Sequence, residues 1–257
     1  MRKKVKFLVP MIACIGVIIG LVGCDKKGNN NEEKEIVVSI AASLKEPMDI
    51  IGANFTKKTG INIKLNAGSS GTLEKQIQNG ADVDMFFSAS KTYSDQLLNK
   101  GYIYNNKVED ILLNSLVVIG DKNIEDLKEL VNVEGKIAIG EPSTVPAGAY
   151  AKESLEYYKI YSALKEKLVY GKSVTNVKEY VESGNAEYGF VYKTDAINLK
   201  DSKVVYNVND DSHEKIQYTV AVLKDSKNIK ETEEFLNYLN SDEAMKVFEE
   251  YGFAKNK

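Results

Sequence analysis

Residues 36–55 read IVVSIAASLKEPMDIIGANF, and this stretch determines the first unit of the fold. Its first five residues are apolar and β-branched apart from Ser39, which is typical of a short buried strand. From Leu44 onward the apolar residues Leu44, Met48, Ile51 and Phe55 recur at helical spacing. The small residues 41–43 separate the two patterns. The stretch therefore predicts a strand that leads through a tight turn into an amphipathic helix.

The same alternation continues to the end of the chain. Further strands are predicted at 61–65, 84–87, 116–119, 136–139, 168–170, 188–192, 204–206 and 216–223. Helices are predicted around Leu73 and Ile77, and at 124–130, 148–164, 231–239 and 241–252. Strands that alternate with helices indicate an α/β fold with mostly parallel sheets. A length of 257 residues fits one or two domains of this kind.

Composition and charge exclude several classes of protein. Hydrophobic residues make up 43% and charged residues 28%, which is ordinary for a globular protein and unlike a disordered, collagen-like or multi-span membrane chain. Four of the 34 basic residues lie within the first 23 residues, so the remainder carries 30 basic against 37 acidic groups, a net charge of about −7. An acidic chain whose only Arg is Arg2 argues against a nucleic-acid binder.

The N-terminus has the pattern of a secretion signal. A basic start at 1–6 precedes the apolar run 7–23, and Leu21-Val22-Gly23-Cys24 resembles a bacterial lipobox, in which the Cys is lipidated. We expect residues 1–23 to be a cleaved signal peptide, Cys24 to carry the lipid, and residues 24–35 to be a flexible tether. An uncleaved N-terminal anchor is the alternative, and both interpretations place the folded part outside the cytoplasmic membrane. If Cys14 is removed with the signal peptide and Cys24 is lipidated, no thiol remains for catalysis, disulfides or metal binding.

Four short segments share one local design, in which small or hydroxyl residues lie between a strand and a helix. They are 41–44 (AASL), 68–73 (GSSGTL), 145–148 (VPAG) and 172–175 (KSVT). The first N–H groups of a helix lack helical acceptors and carry partial positive charge, so helix starts are suited to anion binding. In open α/β sheets, ligands bind at the carboxyl ends of strands, where these turns lie. Each segment alone is also explained as an ordinary helix cap.

In its motifs the chain resembles the molybdate-binding proteins of bacterial ABC importers. The similarity extends over nearly all of residues 36–253. The motifs that carry it are 41–44 (AASL), 68–73 (GSSGTL) with 76–77 (QI), 80–89 (GADVDMFFSA), 114–118 (NSLVV), 140–142 (GEP), 145–151 (VPAGAYA), 189–192 (GFVY) with 195–196 (DA), 211–213 (DSH) with Tyr218, and 251–253 (YGF). The resemblance implies a two-lobed periplasmic-binding-protein-like fold of type II, in which the chain crosses twice between lobes. Lobe 1 would comprise 36–113 and 221–257, and lobe 2 would comprise 114–220.

The resemblance also implies an oxyanion site made of neutral donors. Ser43 and Ser70 would each donate a hydroxyl and a backbone N–H, Ala147 and Val174 a backbone N–H, and Tyr192 its phenolic O–H. The ligand would be molybdate or tungstate, with molybdenum held as an oxyanion and no residue ligating a metal cation. No cofactor and no catalysis are expected. The partners would be a membrane permease, the membrane itself through the lipid anchor, and no nucleic acid, with the protein a monomer.

Three other functions stay open at this stage. The ligand could be tungstate by preference, or sulfate, which lacks a proton just as molybdate does. A secreted serine hydrolase would use Ser43 or Ser70 with His213, the only His, although no Gly-x-Ser-x-Gly turn is present. A pure adhesion protein would need no anion site.

Overall fold

The computed structural model describes residues 34–256, which fold as an α/β protein with two sheets. The strands are β1 Glu35–Ala41, β2 Asn62–Gly68, β3 Met85–Ser88, β4 Glu109–Leu113, β5 Leu116–Gly120, β6 Ile137–Gly140, β7 Leu168–Gly171, β8 Tyr188–Tyr192, β9 Lys203–Asn207, β10 Gln217–Val222 and β11 Ala254–Lys255. The α-helices are α1 Lys45–Thr59, α2 Ser70–Gln78, α3 Lys91–Asn99, α4 Pro146–Tyr157, α5 Tyr161–Leu164, α6 Val174–Glu182, α7 Ile229–Leu239 and α8 Asp242–Glu250. The predicted α/β class is confirmed.

Both sheets are mixed, whereas the sequence predicted mostly parallel ones. The first sheet has the order β11-β4-β10-β3-β1-β2, and the second has the order β7-β6-β8-β5-β9. In the first sheet β1 is parallel to β2 and β3, while β10 is antiparallel to both of its neighbours. In the second, β6 is parallel to β7 and β8, while β5 is antiparallel to β8 and β9. The antiparallel pairs involve the strands that begin or end a passage between the sheets.

The chain passes between the sheets twice. It leaves the first sheet after β4 and enters the second at β5, with only Asn114 and Ser115 between the two strands. It returns between β9 and β10 through residues 208–216. The return predicted at residue 221 falls inside β10, all of which belongs to the first sheet.

Helices cover both faces of the first sheet because adjacent side chains of a strand point to opposite faces. Phe86 in β3 packs with a smaller apolar cluster that contains residues of α2 and α3, such as Leu73 and Leu97. Phe87 points the other way, into the main core, where its ring lies 6.1 Å from that of Phe248 in α8. On the second sheet, α4 and α6 pack against β6 and β8. These layers hold the strand ends and helix starts in fixed positions.

Several predicted elements differ from the structure. The α-helix predicted at 124–130 is instead a 3₁₀ helix at Leu127–Asn132, which begins with a capping box between Asp126 and Glu129. The helix predicted at 148–164 is two helices, α4 and α5, because Lys159 adopts a left-handed conformation with φ of 61°. Within residues 34–256, no helix has the length and apolar character needed to span a membrane.

The predicted signal peptide (1–23), the lipidation site Cys24 and nearly all of the tether (24–35) lie outside the described residues. At the end of the predicted tether, Lys34 is described, and β1 already begins at Glu35.

Candidate functional site

Four of the five predicted site residues lie just beyond the carboxyl ends of parallel strands. Ser43 follows β1, Ser70 follows β2, Ala147 follows β6, and Val174 follows β7. Two of these strands belong to the first sheet and two to the second. This is the edge at which open α/β sheets collect ligands.

All five predicted residues line one small cavity. Its lining comprises Ala41, Ala42, Ser43, Gly68, Ser69, Ser70, Ala89, Val145, Pro146, Ala147, Val174 and Tyr192. The volume is about 10 Å³ for the centre of a water-sized sphere, which is about what one water molecule requires. No charged side chain is present among the described residues of this lining. The arrangement therefore offers dipoles and hydroxyl groups rather than ion pairs.

The helix starts that line this cavity have backbone N–H groups without a helical acceptor, for a local reason in each case. Ser70 and Val174 are the first residues of α2 and α6, and N–H groups in a first turn have no acceptor within the helix. In α4, Pro146 occupies the first position and has no N–H, so Ala147 supplies the first donor of that helix. Ser43 lies in a 3₁₀ turn, Ala42–Leu44, that leads into α1, which agrees with the turn predicted between the first strand and the first helix.

Tyr192 contributes a buried hydroxyl group to the same cavity. It is the last residue of β8 and only 1% exposed. Its Oη has no hydrogen-bond partner in the described part of the chain, and a buried polar group left unpaired costs about 1–3 kcal/mol. Burial raises the pKa of this phenol well above its usual value, so the group keeps its proton. An anion in the cavity would give that O–H an acceptor.

The two serine hydroxyls are each held by one protein group. The Oγ of Ser43 lies 2.7 Å from the Oη of Tyr218. The backbone N–H of Ala89 donates to the Oγ of Ser70 at 3.0 Å. The sequence assigned no role to Tyr218 or Ala89. Both are among the residues that carry the family resemblance, but no local pattern pairs them with the serines.

A larger cavity of about 360 Å³ adjoins the first and shares Ala42, Ser43 and Gly68 with it. Charged side chains line this second cavity, among them Glu46, Lys178 and Asp195. The Oδ2 of Asp195 is buried and unpaired within the described chain. Burial, with a smaller contribution from Glu46, raises the pKa of Asp195 to about 7, while Lys178 acts in the opposite direction.

Hydrogen bonds link the elements of the two sheets around the site. The N–H of Gly71 in α2 donates to the carbonyl of Thr144 at 2.9 Å, just ahead of α4. Tyr93 in α3 donates its hydroxyl to the carbonyl of Ser143 at 3.3 Å. On the side of the larger cavity, the amide of Asn198 donates to Glu46 in α1 at 3.2 Å.

His213 lies outside both cavities that contain the serines. It lines a separate cavity with Asn114 and Lys193, its Nδ1 is 2.7 Å from the carbonyl oxygen of Glu214, and its ring packs against Tyr150. The structure therefore does not bring His213 to Ser43 or Ser70 as a hydrolase would require. Over residues 34–256, no three His, Cys, Asp or Glu side chains form a group that could hold a metal ion.

A cavity with a few convergent polar groups, at the strand ends of two sheets, has the features of a binding site for a small solute. Residues 36–254 match the family of bacterial extracellular solute-binding proteins, and the chain belongs to this family.

Several proteins are similar to this chain along most of its length. YvgL of Bacillus subtilis, which carries the name of an ABC transporter substrate-binding lipoprotein, is 41% identical over 250 residues, covering 94% of this chain and 96% of its own. The molybdate-binding protein ModA of Escherichia coli is 35% identical over 232 residues, covering 86% and 90%. A solved substrate-binding domain attributed to a molybdenum ABC transporter of Clostridium difficile is 37% identical, with a TM-score of 0.67, covering 87% of this chain and 99% of that domain.

Proposed function

We propose that this protein captures molybdate in the small cavity and delivers it to the permease of an ABC importer. The observation that carries the proposal is the gathering of Ser43, Ser70, Ala147, Val174 and Tyr192 around one uncharged cavity with an unpaired phenol O–H. The ligands named for ModA and for the Clostridium difficile domain support the choice of anion. Tungstate has the same shape and charge and is proposed as a second ligand.

Neutral donors are sufficient to hold such a dianion. The proposed set contains two serine hydroxyls, one phenol and four backbone N–H groups. A hydrogen bond to a charged acceptor contributes about 1.5–3 kcal/mol, and helix starts add favourable partial charge. The protein does no chemistry on the anion in this proposal, since the site presents hydrogen-bond donors and no nucleophile–base pair.

The donors are proposed to close on the anion as two lobes approach each other. The first lobe would contain residues 36–113 and the return to the C-terminus that begins with β10, and the second lobe the residues between. Ser43 and Ser70 then belong to one lobe, and Ala147, Val174 and Tyr192 to the other. Bonds such as Gly71 N–H to the Thr144 carbonyl, at 2.9 Å, would form on closing.

The location proposed is the outer face of the cytoplasmic membrane. Residues 1–23 would be removed as a signal peptide, Cys24 would be lipidated, and residues 24–35 would tether a monomeric binding domain near its permease. Metabolic labelling with a radioactive or alkyne fatty acid, with Cys24→Ala as the control, tests this part. Label that persists in the variant would contradict it.

Calorimetric titration with molybdate, tungstate and sulfate tests the ligand. We expect molybdate and tungstate to bind at least tenfold more tightly than sulfate, and Ser43→Ala and Ser70→Ala each to weaken molybdate binding tenfold or more without lowering the unfolding temperature of the free protein by more than a few degrees. Unchanged affinity in both variants would contradict the site. Tighter binding of sulfate would reassign the ligand, and no stabilisation by any of the three anions would favour an adhesion role. Labelling of Ser43 or Ser70 by an acyl-phosphonate probe would instead favour a hydrolase.

A further inference from the structure

A chain of polar groups with a buried tyrosine at its centre runs from the first passage between the sheets to Ser43. Asn114 lies in that passage, and Tyr218 lies in β10 with no exposed surface. The Nδ2 of Asn114 is 3.2 Å from the Oη of Tyr218, which is in turn 2.7 Å from the Oγ of Ser43. The chain therefore connects a residue between the sheets to a residue of the proposed anion site.

The direction of the first hydrogen bond is determined by a backbone group. The N–H of Ser115 can only donate, and it lies 2.9 Å from the Oδ1 of Asn114. The other end of the Asn114 side chain must then be its NH₂ group, which donates to the hydroxyl of Thr194 at 2.9 Å and to Tyr218. The phenol oxygen of Tyr218 is consequently an acceptor toward Asn114.

The direction of the second hydrogen bond follows from the first. The hydroxyl of Tyr218 has one proton, and within the described chain the Oγ of Ser43 is its remaining partner. If Ser43 donated instead, the proton of Tyr218 would be left without an acceptor in a fully buried position, which is unfavourable. Ser43 therefore accepts from Tyr218, and its own proton is directed to another acceptor.

Ser70 is arranged in the same way by a different group. The backbone N–H of Ala89 donates to its Oγ at 3.0 Å, and a backbone N–H cannot reverse that role. Ser70 is completely buried, so its proton also needs another acceptor. Both serines of the proposed anion site, Ser43 and Ser70, thus have one lone pair occupied by a protein donor.

We propose that Tyr218 and Asn114 are positioning residues that orient the Ser43 hydroxyl as a donor into the cavity before the anion arrives. This inference rests on the proposed function, because it supposes that Ser43 binds the anion. Neither residue touches the anion in this proposal. Their effect on affinity is transmitted entirely through Ser43.

A double-mutant cycle tests this route of action, with molybdate affinity measured by calorimetry on four proteins: wild type, Tyr218→Phe, Ser43→Ala and the double variant. We expect Tyr218→Phe to weaken binding three- to tenfold in the wild-type background and less than twofold in the Ser43→Ala background. Tyr102→Phe, which removes a hydroxyl that donates to the carbonyl of Gln78 away from the cavity, is the matched control and should leave affinity unchanged.

A second measurement separates positioning from a merely structural role. With Phe at position 218, the Oγ of Ser43 is free to accept a proton from hydrogen phosphate, so the ratio of phosphate Kd to molybdate Kd should fall at least threefold. The ratio should stay unchanged in Tyr102→Phe.

The outcomes distinguish the two levels of the proposal. If the wild type does not bind molybdate, the proposed function fails. If the wild type binds, but Tyr218→Phe weakens binding equally in both backgrounds or leaves affinity and the phosphate ratio unchanged, the positioning role is overturned and the proposed function stands.

Discussion

Gly148 allows the start of helix α4 to lie directly against the end of strand β6. A Cβ atom added at Gly148 would lie 1.9 Å from the carbonyl oxygen of Gly140 and 2.4 Å from its carbon. Ordinary contacts of this kind begin near 3.4 Å, so in a Gly148→Ala variant the two backbones must separate by about 1.5 Å at this point. Neither partner is a flexible side chain that could rotate away.

The displacement acts on the adjacent residue, Ala147, whose N–H is proposed to hold the anion. A hydrogen bond of about 2.9 Å that lengthens by even 1 Å is lost, which removes about 1.5–3 kcal/mol of binding free energy to a charged acceptor. The affinity for molybdate should therefore fall by about 10- to 150-fold. The strained backbone should also lower the free energy of unfolding by about 1–3 kcal/mol.

Calorimetric titration and urea unfolding of Gly148→Ala measure the two effects separately. Gly52→Ala is the matched control, because Gly52 is a buried helical glycine in α1 whose added Cβ would meet only the Ile63 side chain, at 3.3 Å. That variant should bind molybdate as the wild type does. If Gly148→Ala also bound with wild-type affinity, Ala147 would not be a ligand and the reasoning from the close approach to Gly140 would be refuted.

Three further substitutions give distinct expected results. Tyr192→Phe removes the unpaired buried hydroxyl, so the free protein should be equally or more stable in urea, by up to about 2 kcal/mol, while molybdate affinity falls about tenfold or more. Val174→Pro removes a backbone donor at the first position of α6, where Pro is tolerated because Ser173 before it is extended. This variant should weaken molybdate binding about tenfold, whereas Val174→Ala should change molybdate affinity less than threefold. The pKa of Asp195 is raised to about 7 from 3.8, so ionisation of this carboxyl destabilises the folded state as the pH rises through that interval. The free energy of unfolding of Asp195→Asn should therefore equal that of the wild type near pH 4 and exceed it at pH 8 by about 1–4 kcal/mol.

Each of these substitutions has a contrary result. Wild-type affinity in Tyr192→Phe would remove the phenol from the proposed site. Equal affinities in Val174→Pro and Val174→Ala would show that no backbone donor acts at that position. A stability difference between Asp195→Asn and wild type that does not change between pH 4 and pH 8 would mean that Asp195 ionises as readily in the folded protein as in the unfolded chain.

The sequence predicted most accurately the elements that a local run of apolar residues identifies. Continuous β-branched and apolar runs located β1 and β8 to within one residue, because burial on both faces leaves no other conformation favourable. Helix α3 was not predicted, since only Ser94 and Leu97 of it are buried and its apolar periodicity is correspondingly weak. The break after α4 was also missed, because Lys159 takes up a left-handed conformation that usually falls to Gly or Asn.

The residues of the candidate site likewise include some that have a local sequence signal and some that have none. The helix starts at Ser43, Ser70, Ala147 and Val174 are visible as small-residue segments between strands and helices, but their convergence depends on how two sheets are placed. Tyr192 has no local signal that separates it from other buried strand residues, and only the family resemblance singled it out. The contact between Ser43 and Tyr218 joins residues 175 positions apart, and no periodic pattern in one sequence reports such a pair.

An uncharged cavity in an acidic protein attracts a dianion only at short range. Dipoles at helix starts act over a few ångströms, whereas the net charge of about −7 beyond the first 23 residues repels an anion over a Debye length of about 10 Å at 0.1 M salt. Added salt screens the repulsion and leaves the buried hydrogen bonds almost untouched. The association rate should therefore rise with ionic strength, as stopped-flow tyrosine fluorescence can measure, whereas proteins that attract anions with clustered lysines and arginines are slowed by salt.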